Sequence, residues 1–118
     1  MAAIKVYVYA KCGTCRKAVK WLKEHGIAFE EKAIRETPPP PAELAMALKA
    51  DGNIRKILNT SSQDYRDLDL KEKLDGMSDA QVFALLQENG NLVKRPFVVT
   101  GGAAWAGFKE DFWLERLS

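Results

Sequence analysis

The pattern that most constrains this chain is a strand, a helix and a second strand, packed into its first 34 residues. Ile4–Tyr9 (IKVYVY) alternates and is rich in β-branched and aromatic residues, which reads as a strand. Arg16–His25 (RKAVKWLKEH) carries Ala18, Val19 and Leu22 at helical spacing, with Trp21 beside them and Gly26 as the stop signal. Ile27–Ile34 (IAFEEKAI) reads as a second strand. A helix-length link between two strands is the crossover of a parallel pair, and such units are right-handed. The chain has 118 residues, which predicts one domain, 1–118, large enough to fold without disulfide staples.

Four prolines, Pro38–Pro41, then break the pattern, and the last of them can open a helix. The run reads as a stiff link rather than a recognition motif. Ala42–Ala50 is a strong helix former closed by Asp51-Gly52. Residues 53–78 read as short helical turns and loops, with a turn around Asn59–Gln63. Ser78 or Asp79 caps a further helix, Ala80–Glu88, stopped by Asn89-Gly90. After Arg95-Pro96, the run FVVT, a Gly101-Gly102 turn and AAWAG predict a hairpin. A helix over Glu110–Leu117 closes the chain. The outline is βαβ, a helical stretch over about 40–90, then ββα.

Several function classes fall away on composition. Hydrophobic residues make up 47% and charged residues 29%, an ordinary globular balance. A formal net charge of +2 is too weak to argue for nucleic acid or membrane, and Lys94-Arg95 is too short for a nucleic-acid patch. No apolar run approaches the ~20 residues that span a bilayer. The N-terminus MAAIKVYVYAK lacks a signal-peptide layout, so a cytoplasmic location is expected. Two cysteines are too few for a secreted disulfide scaffold.

Those two cysteines stand together, Cys12-Gly13-Thr14-Cys15, between the first strand and the first helix. Half of a zinc site, a pair of inert buried thiols and a redox centre all use such spacing. Only His25 remains as a further zinc ligand of the nitrogen type, short of the usual four-ligand set. The strand-to-helix position favours the redox role. Free amides and the helix dipole favour an anion there, and Lys11, Arg16 and Lys17 add positive charge. Each lowers the pKa of a thiol from its free value of ~8.5. Cys12, nearer the N-terminus, is the expected nucleophile, and Cys15, one turn on, can resolve a mixed disulfide. His25 lies about three turns away and is a poor general base for Cys12. Trp21, Trp105, Phe108 and Trp113 are expected as core or edge aromatics.

Several separated segments, in order, resemble the glutaredoxin-coupled arsenate reductase (ArsC) and Spx family. They are Y-x-x-x-C-G-T-C-R-K-A, IRKILNTSSQDYRDLDL (54–70), KRPFVVT (94–100) and GFKEDF near the end. The resemblance implies an α/β, thioredoxin-like fold with a mixed four-stranded sheet and a helical insertion between the second and third strands. It implies that Cys12 attacks a small oxyanion or a glutathione-type mixed disulfide. Arg55 and Arg95 would hold the anion, since a guanidinium offers paired donors to an oxyanion. Pro96 would be the cis proline that faces the cysteine. Cys15, or external glutathione or glutaredoxin, would release the product, with no bound cofactor or metal. Two departures stand out. Gly107-Phe108 occupies the place of the reductases' third arginine, and Cys15 stands where they usually carry serine. The second departure resembles Spx, whose members bind RNA polymerase through its alpha subunit and sense oxidation through the pair. An Spx-like redox switch is the alternative function implied.

Overall fold

In the computed structural model, which describes residues 4–117, strand β1 (Lys5–Val8) leads to helix α1 (Gly13–Glu24) and strand β2 (Glu30–Ala33). Helices α2 (Pro41–Asp51), α3 (Gln63–Asp67), α4 (Leu70–Lys73) and α5 (Asp79–Glu88) follow, with short 3-10 turns at Ile54–Ile57, Leu74–Gly76 and Gly90–Leu92. Strands β3 (Phe97–Val99) and β4 (Ala104–Ala106) and helix α6 (Glu110–Leu117) complete the chain. The sheet order is β2-β1-β3-β4. β2 runs parallel to β1, with Lys5 opposite Glu30 and Val8 opposite Ala33. β3 is antiparallel to both β1 and β4. The expected mixed sheet, crossover helix, helical stretch and hairpin are therefore all present.

The period-2 geometry of β1 divides the interior in two. Val6 and Val8, with Val98 of β3, pack on one side against Ala18, Trp21 and Leu22 of α1 and Trp113 of α6. Tyr7, Phe97 and Val99 pack on the other side against the helices between β2 and β3, including Leu44, Val82 and Leu86. Complete burial of side chains such as Leu22, Leu44 or Phe97 stabilises by about 1.5–3 kcal/mol each.

Local chemistry sets the boundaries. α1 ends with His25 as its cap and Gly26 at φ 66°, a left-handed conformation that costs glycine little. Ile27 N–H donates to Leu22 O at 3.0 Å and Gly26 N–H to Lys23 O at 3.2 Å, the paired bonds of a Schellman stop. β2 is shorter than its sequence suggests, because its partner β1 begins at Lys5, opposite Glu30, and Ile27 and Phe29 before it pack against the α1 side of the core. α2 starts on Pro41 itself, whose missing N–H is no loss at a first helical position. α5 is closed at its start by a reciprocal box in which Ser78 and Gln81 bond each other's backbone amides. A buried carboxylate, Glu43 of α2, accepts from Tyr7 Oη at 2.6 Å and pairs with Lys5, tying α2 to the sheet. Among the described residues, no helix is long and apolar enough to cross a membrane.

Candidate active site

α1 starts three residues earlier than its apolar spacing indicates, at Gly13, and its N-cap is Cys12. The backbone of Cys12 is extended (φ −87°, ψ 120°), as a capping residue requires. Its sulfur takes the position that a serine or aspartate oxygen usually fills and accepts from the Cys15 amide at 3.4 Å. The Cys12 amide is itself fixed, donating to Tyr9 O at 2.9 Å. Cys12 is half-buried, whereas Cys15 is 1% exposed and packs beneath it in the core.

The two thiols are driven apart in acidity. Partial burial pushes the Cys12 thiol up, but hydrogen bonds from Cys15 and the Arg95 guanidinium outweigh it and hold the pKa below the ordinary thiol value. Burial pushes the Cys15 thiol up to about 12, and the neighbouring Cys12 sulfur adds to the rise. The pair thus sets a more acidic, half-buried sulfur above a fully buried one that stays protonated.

Cys12 lines a cavity of about 540 Å³, open to solvent, together with Tyr9, Arg35, Asn59, Asp64, Asn91, Lys94 and Arg95. The Arg95–Pro96 peptide bond is cis. The Arg95 guanidinium lies 4.9 Å from the centre of the Tyr9 ring, and its buried Nη1 has no hydrogen-bond partner. An unpaired buried donor on a cation beside a thiolate suits an incoming anion. Arg35 also sits 4.9 Å from the centre of the Tyr9 ring and donates from Nη1 to Tyr9 Oη at 2.9 Å. Two guanidinium groups therefore share one aromatic platform beside Cys12.

Of the residues expected at the site, Cys12 and Arg95 line one cavity and Cys15 lies against Cys12, while Pro96 is cis next to Arg95. Arg55 does not join them. It lies on the 3-10 turn after α2, where Nη2 donates to Asp75 Oδ1 at 3.0 Å and to Lys71 O at 3.3 Å. It is absent from the lining of the Cys12 cavity, so the expectation that it clamps an anion there is corrected. Sequence reasoning missed Arg35, which follows β2 and had no motif to mark it. It also passed over Asn59 and Asp64, although both lie within the 54–70 segment. His25 is engaged far from the site: Nδ1 lies 2.8 Å from Trp21 O and its ring stacks on Trp21. Trp113 is fully buried and meets Trp21 and Phe108 edge-on, the structural role expected of these aromatics.

The ArsC family model matches residues 7–116. The chain belongs to the ArsC family. Its mixed four-stranded sheet flanked by helices has the α/β, thioredoxin-like architecture of its structural neighbours in that family. The ArsC-family chain is 46% identical to the uncharacterised protein YusI of Bacillus subtilis, over 97% of this chain and 98% of that protein. It is 30% identical to the global transcriptional regulator Spx of Listeria innocua, over 92% of this chain and 82% of that protein. It superposes on an arsenate reductase from Vibrio cholerae with a TM-score of 0.83 at 29% identity, covering 98% of both chains.

Proposed function

We propose that this ArsC-family chain is a thiol-dependent oxidoreductase in which the Cys12 thiolate attacks an oxidised, anionic substrate, an oxyanion or a mixed disulfide. One observation carries the reading: a half-buried sulfur capping α1, held below the ordinary thiol pKa by Cys15 and Arg95, at the wall of a cation-lined cavity. Arg95 receives the anionic part. With a mixed disulfide, the thiolate forms a new S–S bond as the old one breaks, and the departing sulfur leaves as thiolate. Cys15 or an external thiol, such as glutathione or a glutaredoxin, then releases the carried group.

The test is turnover of arsenate and of a model mixed disulfide with glutathione as reductant, in the native protein and in Cys12→Ser. Turnover that vanishes in the variant supports the reading; no turnover of either substrate class would sink it. A second reading, an Spx-like redox switch that binds the RNA polymerase alpha subunit, draws on the likeness to Spx and on the Cys12–Cys15 proximity. Its test is capture of purified RNA polymerase that depends on oxidation of the pair.

A further inference from the structure

The cavity beside Cys12 is both larger and more mixed in charge than an oxyanion site needs. A water's share of liquid is about 30 Å³, and a tetrahedral oxyanion takes only a few times that. The cavity holds about 540 Å³, the range of a small organic ligand. Arg35, Lys94 and Arg95 supply positive charge to it, but Asp64 lines it as well. A carboxylate in the wall repels an oxyanion, so capture of an oxyanion leaves Asp64 unexplained.

Asp64 is built in with care. Its Oδ2 accepts from Asn89 Nδ2 at 2.8 Å and from Asn91 Nδ2 at 3.3 Å. These two amides, helped by the Arg35 charge across the cavity, hold its carboxyl below the usual carboxylate range, so it is charged at neutral pH. Both bonds fall on the same oxygen. Arg35, an exposed side chain, is oriented by its bond to Tyr9 Oη and its contact with the Tyr9 ring. One N–H of its five-donor fork is used in this way. Yet Arg35 and Asp64 form no ion pair among the described residues, although they line one cavity. Opposite charges that line one cavity and act on each other without direct contact match a ligand with the reverse arrangement.

We propose that Arg35 and Asp64 form a zwitterion subsite beside Cys12, with Arg35 taking an α-carboxylate and Asp64 an α-ammonium. The subsite rests on the reading that Cys12 exchanges with disulfides, and it names the class of thiol carried: an amino-acid-derived, low-molecular-weight thiol with both groups free. The Cys12 thiolate attacks the carrier sulfur of a carrier–S–S–X disulfide. A Cys12–carrier S–S bond forms, the carrier–X bond breaks, and X leaves as thiolate; Cys12 sulfur is oxidised and X sulfur reduced. A second carrier thiol then displaces Cys12 and leaves as the symmetrical carrier disulfide.

The test uses mixed disulfides of thionitrobenzoate with five carriers, whose release of thionitrobenzoate is read by absorbance. Cysteine and γ-glutamylcysteine carry both groups, N-acetylcysteine lacks the ammonium, cysteamine lacks the carboxylate, and mercaptoethanol lacks both. Each rate is divided by that of a simple thiol in solution. The two zwitterionic carriers, or whichever of them spans the distance, should exceed the rest by about tenfold, the scale of one charge-assisted hydrogen bond. Asp64→Asn should lower only the ammonium-bearing carriers and Arg35→Gln only the carboxylate-bearing ones. Equal normalised rates across carriers, unmoved by both substitutions, overturn the subsite. If no carrier exchanges, the oxidoreductase reading fails, and binding alone then decides the subsite. S-Methylcysteine should protect Cys12 from iodoacetamide in the native protein and not in Asp64→Asn. Absence of protection in the native protein overturns it.

Discussion

Replacing Arg95 with Met removes the one cation that both hydrogen-bonds and electrostatically stabilises the Cys12 sulfur, while keeping a side chain of similar length. A hydrogen bond to a charged partner is worth roughly 1.5–3 kcal/mol. Loss of that bond removes stabilisation from the thiolate alone, so it raises the Cys12 pKa. Cys12 is only half-buried, and solvent screening favours the lower end of that energy range. The sign follows from the chemistry: without the guanidinium the thiolate is less favoured, so the titration midpoint moves up. The measurement is the rate of iodoacetamide alkylation of Cys12 against pH, with product sites mapped by mass spectrometry to exclude Cys15. Reading the midpoint, rather than the rate at one pH, removes the change in intrinsic nucleophilicity that accompanies a changed pKa. An unchanged midpoint in a variant that keeps its thermal unfolding temperature would refute the argument, because the capping amide alone would then account for the acidity.

Three further outcomes are expected. Arg55→Ala should leave the Cys12 midpoint unmoved in the same assay, since its partners are Asp75 and Lys71; a rise matching that of Arg95→Met would restore Arg55 to the site. Trp113→Ala should destabilise the fold by about 3–5 kcal/mol in urea unfolding, because a fully buried ring between Trp21 and Phe108 is lost. The Cys15 thiol, raised from 9.0 to about 12, contributes stability that is fully present below pH 9 and is lost as pH rises toward 12. The difference in unfolding free energy between the native protein and Cys15→Ala should therefore shrink across that window, and a constant difference would contradict it.

The parts legible in the sequence are those fixed by neighbours in the chain. Alternation in β1, the apolar spacing of α1, the Ser78 cap and the Gly101-Gly102 turn each act over a few residues. The Cys12–Cys15 relation is local in the same way, since a helical turn brings the pair together. The anion wall is not local. Arg35 leaves the end of β2, Arg95 precedes the cis proline and Tyr9 follows β1, so only the closed sheet sets both guanidinium groups on one ring. No spacing rule announces that meeting. Arg55 misled for a related reason: a residue in a short matched motif was assigned by its position, while the 3-10 turn that carries it directs the guanidinium to Asp75, twenty residues on in the sequence.

Gly90 bears on the width of that wall. A β-carbon built there would stand 2.0 Å from Ile34 O and 2.9 Å from Arg35 Cα, both backbone atoms that cannot yield like the tip of a side chain. The bare α-carbon lets the 3-10 turn bearing Asn91 rest directly on the chain that bears Arg35. The approach of the turn that carries Asn91 to the chain that carries Arg35 is thereby gauged by a single absent methyl group, and any side chain larger than hydrogen would force those two backbones apart.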